Sequence, residues 1–143
     1  MPHIEHRRAD PKEPMSENVT AELIRALVDH MGGPVVDWDG WESLAMILEF
    51  PGGEFNEAHG FLYSPDGTIS AVASDSGAVR PAVDAYTDSH YQPGEARPVQ
   101  VLVQFDRGSG KYTVSIEDAD ETRWKMTPRN RNEFRDGLRP RFD

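Results

Sequence analysis

Two alternating stretches constrain this chain more than anything else in it. Residues 98–106 (PVQVLVQFD) set Val99, Val101, Val103 and Phe105 against Gln100, Leu102 and Gln104. Residues 112–117 set Tyr112, Val114 and Ile116 against Thr113, Ser115 and Glu117. Period two is the period of a strand with one face buried. Between them, Arg107-Gly108-Ser109-Gly110 supplies small residues for positive φ, so the two stretches form a hairpin, with Arg107 and Lys111 solvated at its tip. The same tip spells Gly-Ser-Gly-Lys, the end of a phosphate-binding loop. That loop needs a glycine six positions before the lysine, a hydroxyl residue after it, and a helix to follow. Here Phe105, Tyr112 and a strand stand in those places, so the tip is a turn and nothing more.

The remaining elements fall around this hairpin. In SENVTAELIRALVDHMGG, Val19, Leu23, Leu27 and His30/Met31 recur at helical spacing, and Gly32-Gly33-Pro34 ends the helix. His30 falls on or beside the apolar stripe, as a packed histidine. Residues 41–50 (WESLAMILEF) are apolar on both parities, the mark of a strand covered on both faces. PGGEFNEAH reads as a loop. Gly60 opens a second strand, Ser64-Pro65-Asp66-Gly67 turns it, and residues 68–74 alternate as its hairpin partner. Residues 79–90 carry Val79, Val83 and Tyr86 at helical spacing, with Pro81 tolerated only in the first turn. Residues 127–138 form a closing helix capped by Thr127, with Pro128 at its first position. The order is helix, three strands, helix, two strands, helix. This predicts an α+β fold: an antiparallel sheet of about five strands with the helices packed on one face. Residues 1–15 are rich in Pro, His and charge and read as a disordered arm, and 16–143 as a single domain.

Charge and composition exclude several classes of function. The net charge of −10 is uneven: residues 16–96 hold 14 acids against Arg25 and Arg80, whereas residues 97–143 hold ten bases and eight acids. An acidic body repels nucleic acid and attracts basic partners. There is no cysteine, hence no disulfide and no thiolate chemistry, which fits a cytoplasmic setting. No apolar run approaches the ~20 residues of a membrane span, and the first residues lack the apolar core of a secretion signal.

Catalytic signatures are absent. The five histidines are scattered: His3-x-x-His6 lies in the arm, and His59 and His90 meet only if the fold brings them together. No catalytic, cofactor-binding or metal-ligating residue is assigned on this basis. An enzyme using Asp39 and His59 is one rival reading. Another is a nucleic-acid-binding regulator whose basic tail (RWKMTPRNRNEFRDGLRPRF) contacts phosphates while Trp124, Phe134 and Phe142 stack on bases. A third is an uncharacterised α+β binding module. Against these stands a protein-binding surface made of Asp37, Asp39, Glu42, Glu54, Glu57, Asp84 and Asp88, with Trp38 as anchor. Two indoles among carboxylates suit an interface, although Trp38 and Trp41 are equally good plugs for a core.

The order of elements and the carboxy-terminal motifs carry a resemblance. An amphipathic first helix precedes a tryptophan-bearing first strand. The hairpin FDRGSGKYTVSIE is followed by an acidic stretch, Trp124, and the closing segment KMTPRNRNEFRDGLRPRF. This resembles the YezG-like family of bacterial immunity proteins, over roughly 16–143 and most closely over 101–128. The resemblance implies a cytoplasmic antitoxin without catalysis or cofactor. It would bind and neutralise a cognate polymorphic toxin domain, often a nuclease.

Overall fold

The structure is a computed structural model that describes residues 3–8, 15–33, 38–92, 94–120, 123–125, 127 and 129–140. Its elements in chain order are β1 (His3–Arg8), α1 (Met15–Asp29), β2 (Met31–Gly32), β3 (Ser43–Glu49), a 3₁₀ turn (Pro51–Gly53), β4 (Glu57–Tyr63), β5 (Ile69–Ser74), α2 (Ser76–His90), β6 (Gln100–Asp106), β7 (Lys111–Glu117) and α3 (Arg131–Gly137). The fold is α+β, with one antiparallel sheet in the order β1-β7-β6-β3-β4-β5-β2. Six of these strands have six or seven residues, and β2 has two. The helix–three strands–helix–two strands–helix order read from the sequence is its frame. The two additional strands are the edges.

Both edges were hidden for a physical reason. His3–Arg8, expected within a disordered arm, forms β1, antiparallel to β7 with His3 opposite Ile116 and Arg8 opposite Lys111. The segment has no alternating apolar pattern of its own. It supplies backbone hydrogen bonds to a β7 edge that would otherwise present unpaired N–H and C=O groups. At the other edge β2, too short to show a period, pairs Met31 with Ser74 and Gly32 with Ala73.

The double-sided pattern of residues 41–50 explains the layering. Leu44, Met46 and Leu48 of β3 point into a core with Leu23, Ile24 and Leu27 of α1 and Val79, Val83 and Tyr86 of α2. Ala45 and Ile47 point the other way, into a second core with Phe61, Tyr63, Leu102, Trp124 and Leu138, against which Phe134 of α3 packs. The helices therefore do not share one face: α1 and α2 cover one side, and the chain from Trp124 through α3 covers the other. Each large apolar side chain so buried stabilises the fold by about 1.5–3 kcal/mol relative to exposure, so a strand this apolar favours cover on both sides. Tyr63 Oη donates to the Arg135 carbonyl at 2.6 Å, and Gln104 Nε2 donates to the Leu138 carbonyl at 2.8 Å, pinning the second cover.

Several boundaries move from their sequence positions. β4 begins at Glu57, not Gly60, so Glu57, Ala58 and His59 belong to a strand rather than a loop; pairing with β3 and β5 overrides their weak strand propensity. α2 begins at Ser76, where Asp75 Oδ1 accepts from the N–H groups of Gly77 and Ala78. That early start puts Pro81 in the second turn. α3 begins at Arg131 after Asn130. Thr127 sits one turn earlier, exchanging hydrogen bonds with Asn130, and Pro128 lies outside the described residues. His30 is exposed beyond the end of α1 instead of packed on its stripe.

The β6–β7 turn is as expected at Gly110, where φ is +76° and the N–H donates to the Asp106 carbonyl. Arg107 departs from expectation. Although exposed, its guanidinium lies 4.0 Å from the Trp41 ring and donates to the carbonyls of Asp39 and Trp41. It ties the turn to the segment entering β3. Among the described residues, no helix is long and apolar enough to cross a membrane.

Candidate functional site

The acids singled out in the sequence do not form one surface. Trp38, Asp39 and Glu42 precede β3, whereas Glu54 and Glu57 follow it, and seven residues of strand put about 20 Å between the two ends. Asp37 lies outside the described residues. Trp41 is buried, but Trp38 is 40% exposed, the one large apolar side chain so exposed among the described residues. One indole plugs the core and the other faces solvent.

Three acids do converge. Asp84 and Asp88, four apart on α2 and so on one helical face, line a groove of about 390 Å³ together with Glu54, Arg80 and Arg97. Arg97 Nη2 donates to Asp88 Oδ1 at 2.6 Å, and Arg80 Nη1 spends itself on the Phe55 carbonyl at 2.9 Å. Glu54 and Asp84 have no ion-pair partner among the described residues.

Glu57 belongs to a different group, on the opposite face of the sheet. In the ladder Glu57 of β4 stands opposite Glu49 of β3, Glu49 opposite Gln100 of β6, and Gln100 opposite Glu117 of β7. Side chains on one face of neighbouring strands stand about 5 Å apart, so this is a continuous polar row at the end of the second core. His59, two residues after Glu57 on the same face, turns its Nε2 to Glu49 Oε2 at 3.2 Å. The ligand-capable atoms of Glu49, Glu57 and His59 all lie within 4.8 Å of one another. A groove of about 330 Å³ opens beside them, lined by Pro51, Asn56, Val99 and Lys125 among others.

The two ends of the row are electrostatically distinct. The hydrogen bond with Glu49 holds the Glu57 carboxyl above the usual carboxylate range, with burial adding to it. Burial pushes Glu49 up as well, but the hydrogen bond from Glu57 and the attraction of His59 outweigh it, and Glu49 lies below its ordinary value. At the other end Glu117 accepts from the N–H groups of Asp120 and Ala119, both at 3.2 Å, and from Arg123 Nη1 at 3.0 Å. Those backbone donors, with Arg123, hold its carboxyl down. Between them Gln100, 1% exposed, accepts from the backbone N–H of Trp124 at 3.0 Å through Oε1. Its Nε2 has no hydrogen-bond partner among the described residues.

The rival readings fare differently. His59 and His90 face opposite sides of the sheet: His90 stacks on Tyr86 of α2 at 4.3 Å and bonds Ser89. Asp39 is at the far end of β3 from His59, so an Asp39–His59 pair is not formed. Of the aromatic groups offered as base-stacking platforms, Trp124 is 5% exposed and Phe134 packs against the same second core. Phe142 lies outside the described residues. Several bases of the tail are engaged internally: Arg123 on Glu117, Arg135 on the Ile69 carbonyl, and Arg139 over the Tyr63 ring. The Glu49–Glu57–His59 group is not legible in the sequence, because Glu57-Ala58-His59 has little strand propensity and reads as loop. The available signal was Glu-x-His, which on a strand puts both side chains on one face. Comparison of the chain with protein-family models, curated proteins and solved structures finds no match.

Proposed function

We propose that this chain is an immunity-type protein, a non-catalytic stoichiometric inhibitor acting in the cytoplasm that binds and neutralises a cognate toxin domain. The observation that carries this reading is the convergence of Glu54, Asp84 and Asp88, from two elements, on one groove. A nuclease cleft must be positive to hold phosphates. A surface with unpaired carboxylates complements it and speeds encounter by electrostatic steering. The resemblance of the hairpin and closing segment to YezG-like immunity proteins points the same way. The internal engagement of Arg123, Arg135 and Arg139 leaves the nucleic-acid reading with less free positive charge than the sequence promised.

The test is co-expression with the product of the adjacent gene, if that gene encodes a secreted protein with a variable carboxy-terminal domain. A one-to-one complex that survives gel filtration, and rescue of cells expressing that domain, are the expected results. Absence of both at micromolar concentration overturns the reading.

A further inference from the structure

We propose that Glu49, Glu57 and His59 form a binding site for one divalent transition-metal ion, zinc being the best fit, with a coordination position left open to the adjoining groove. This site is separate from the acidic groove on α2 and does not depend on the immunity reading.

The ligand set is mixed: one imidazole nitrogen and two carboxylates. Magnesium and calcium prefer all-oxygen shells, while an imidazole in the set favours zinc and its first-row neighbours. The spacing agrees. Ligands about 2.0–2.2 Å from a zinc ion stand about 3.0–3.4 Å from each other in octahedral or tetrahedral geometry. His59 Nε2 and Glu49 Oε2 are 3.2 Å apart, and Glu57 completes a triangle with no edge beyond 4.8 Å. Glu57 is exposed, so its side chain is free to close that triangle. The ligands sit on adjacent strands in register, Glu49 directly opposite Glu57. The sheet therefore sets their separation before any ion arrives.

A second observation is independent of the cluster. Gln100 is the residue opposite Glu49 on the other side of β3, on the same face of the sheet. Its amide is fixed through Oε1 by the Trp124 N–H, so the orientation of Nε2 is set by the fold. Nε2 lies beside Glu49 and helps to hold its carboxyl down, yet this buried donor meets no acceptor at full hydrogen-bond geometry among the described residues. Leaving such a donor unmet is costly. When Glu49 turns to hold an ion through one oxygen, its other oxygen is available as the missing acceptor for Gln100 Nε2. Carboxylate ligands are commonly braced in this way by a neighbouring donor.

The experiment is calorimetric titration of the full chain, freed of metal by chelator, with zinc chloride at neutral pH. The expected result is saturable binding of one ion per chain with a Kd in the micromolar range or tighter. Glu57→Gln and His59→Ala should each weaken it at least tenfold. Glu57→Gln removes only an exposed carboxylate, so it carries the test even if His59→Ala fails to fold. The double variant His3→Ala/His6→Ala should bind as the parent does, because β1 lies three strands from β3. Magnesium chloride should give at least a hundredfold weaker binding. No saturable binding, undiminished affinity in Glu57→Gln, loss of binding in the His3/His6 variant, or magnesium binding as tight as zinc would each overturn the proposal.

Discussion

Gly60 of β4 stands so close to Ala45 of β3 that a Cβ built on Gly60 falls 1.8 Å from the Ala45 carbonyl oxygen and 2.9 Å from the Met46 Cα. The obstruction is backbone in the central pair of the sheet, which cannot swing aside as a side chain does. Gly60→Ala is expected to destabilise the protein by at least about 3 kcal/mol in urea unfolding, the upper range of overpacking. Gly137→Ala, in α3 with nothing within 4 Å of its Cβ, should instead be neutral or gain about 0.5–1 kcal/mol. Equal effects at the two sites would show that the β3–β4 approach is not what demands glycine.

Trp124 separates a structural tail from a nucleic-acid-binding one. It is 5% exposed in the second core; its backbone N–H donates to Gln100 Oε1, a bond that truncation to alanine keeps, so the substitution reports on the indole alone. Trp124→Ala should cost about 3–5 kcal/mol in chemical denaturation, as large aromatic truncations in cores do. A stability change under about 0.5 kcal/mol would mean the indole is a surface platform.

Glu117 gives the fold a pH dependence of definite sign. Its folded pKa is lowered by the Asp120 and Ala119 N–H groups and by Arg123. The folded state thus holds its proton less tightly than the unfolded chain, whose Glu titrates near about 4.3. The contribution is present in full above that value and is lost as pH falls through the lowered folded pKa. Comparison of the parent with Glu117→Gln by thermal melting should show a gap that is constant from pH 6 to 8 and closes below about pH 4. A gap that widens on acidification would contradict the assignment.

The acidic groove can be tested apart from stability. Glu54 and Asp84 carry no ion pair among the described residues, so Asp84→Lys and Glu54→Lys should alter unfolding free energy by no more than about 0.5 kcal/mol. Asp88→Ala breaks an exposed pair with Arg97 worth at most about 1 kcal/mol. If a basic partner docks there, Asp84→Lys should slow association about tenfold at low salt and much less at high salt, because steering is screened. Association rates measured by stopped flow that are unchanged by Asp84→Lys would move the interface elsewhere, with Trp38 the next surface to test.

How much was legible varies element by element. The β6–β7 hairpin, the β4–β5 turn and the double-sided β3 were readable because each depends on neighbours in the chain: alternation, a turn residue, an apolar run. β1 was not readable, because its reason for being a strand is the open edge of β7, more than a hundred residues away. The start of β4 was missed for the same kind of reason. Glu57-Ala58-His59 has little strand propensity, and only pairing with β3 and β5 makes it one.

From the amino-acid order alone come the α+β class, the central strands, the turns that join them and the absence of thiol chemistry, since these follow from local periodicity and composition. Which acids share a groove and which indole is buried were decided by how α2 and the connecting segments pack on the sheet, and that Glu49, Glu57, His59 and Gln100 come together was decided by sheet register. Register is a long-range property: it sets residues from different strands side by side at about 5 Å, however far apart they lie in the chain.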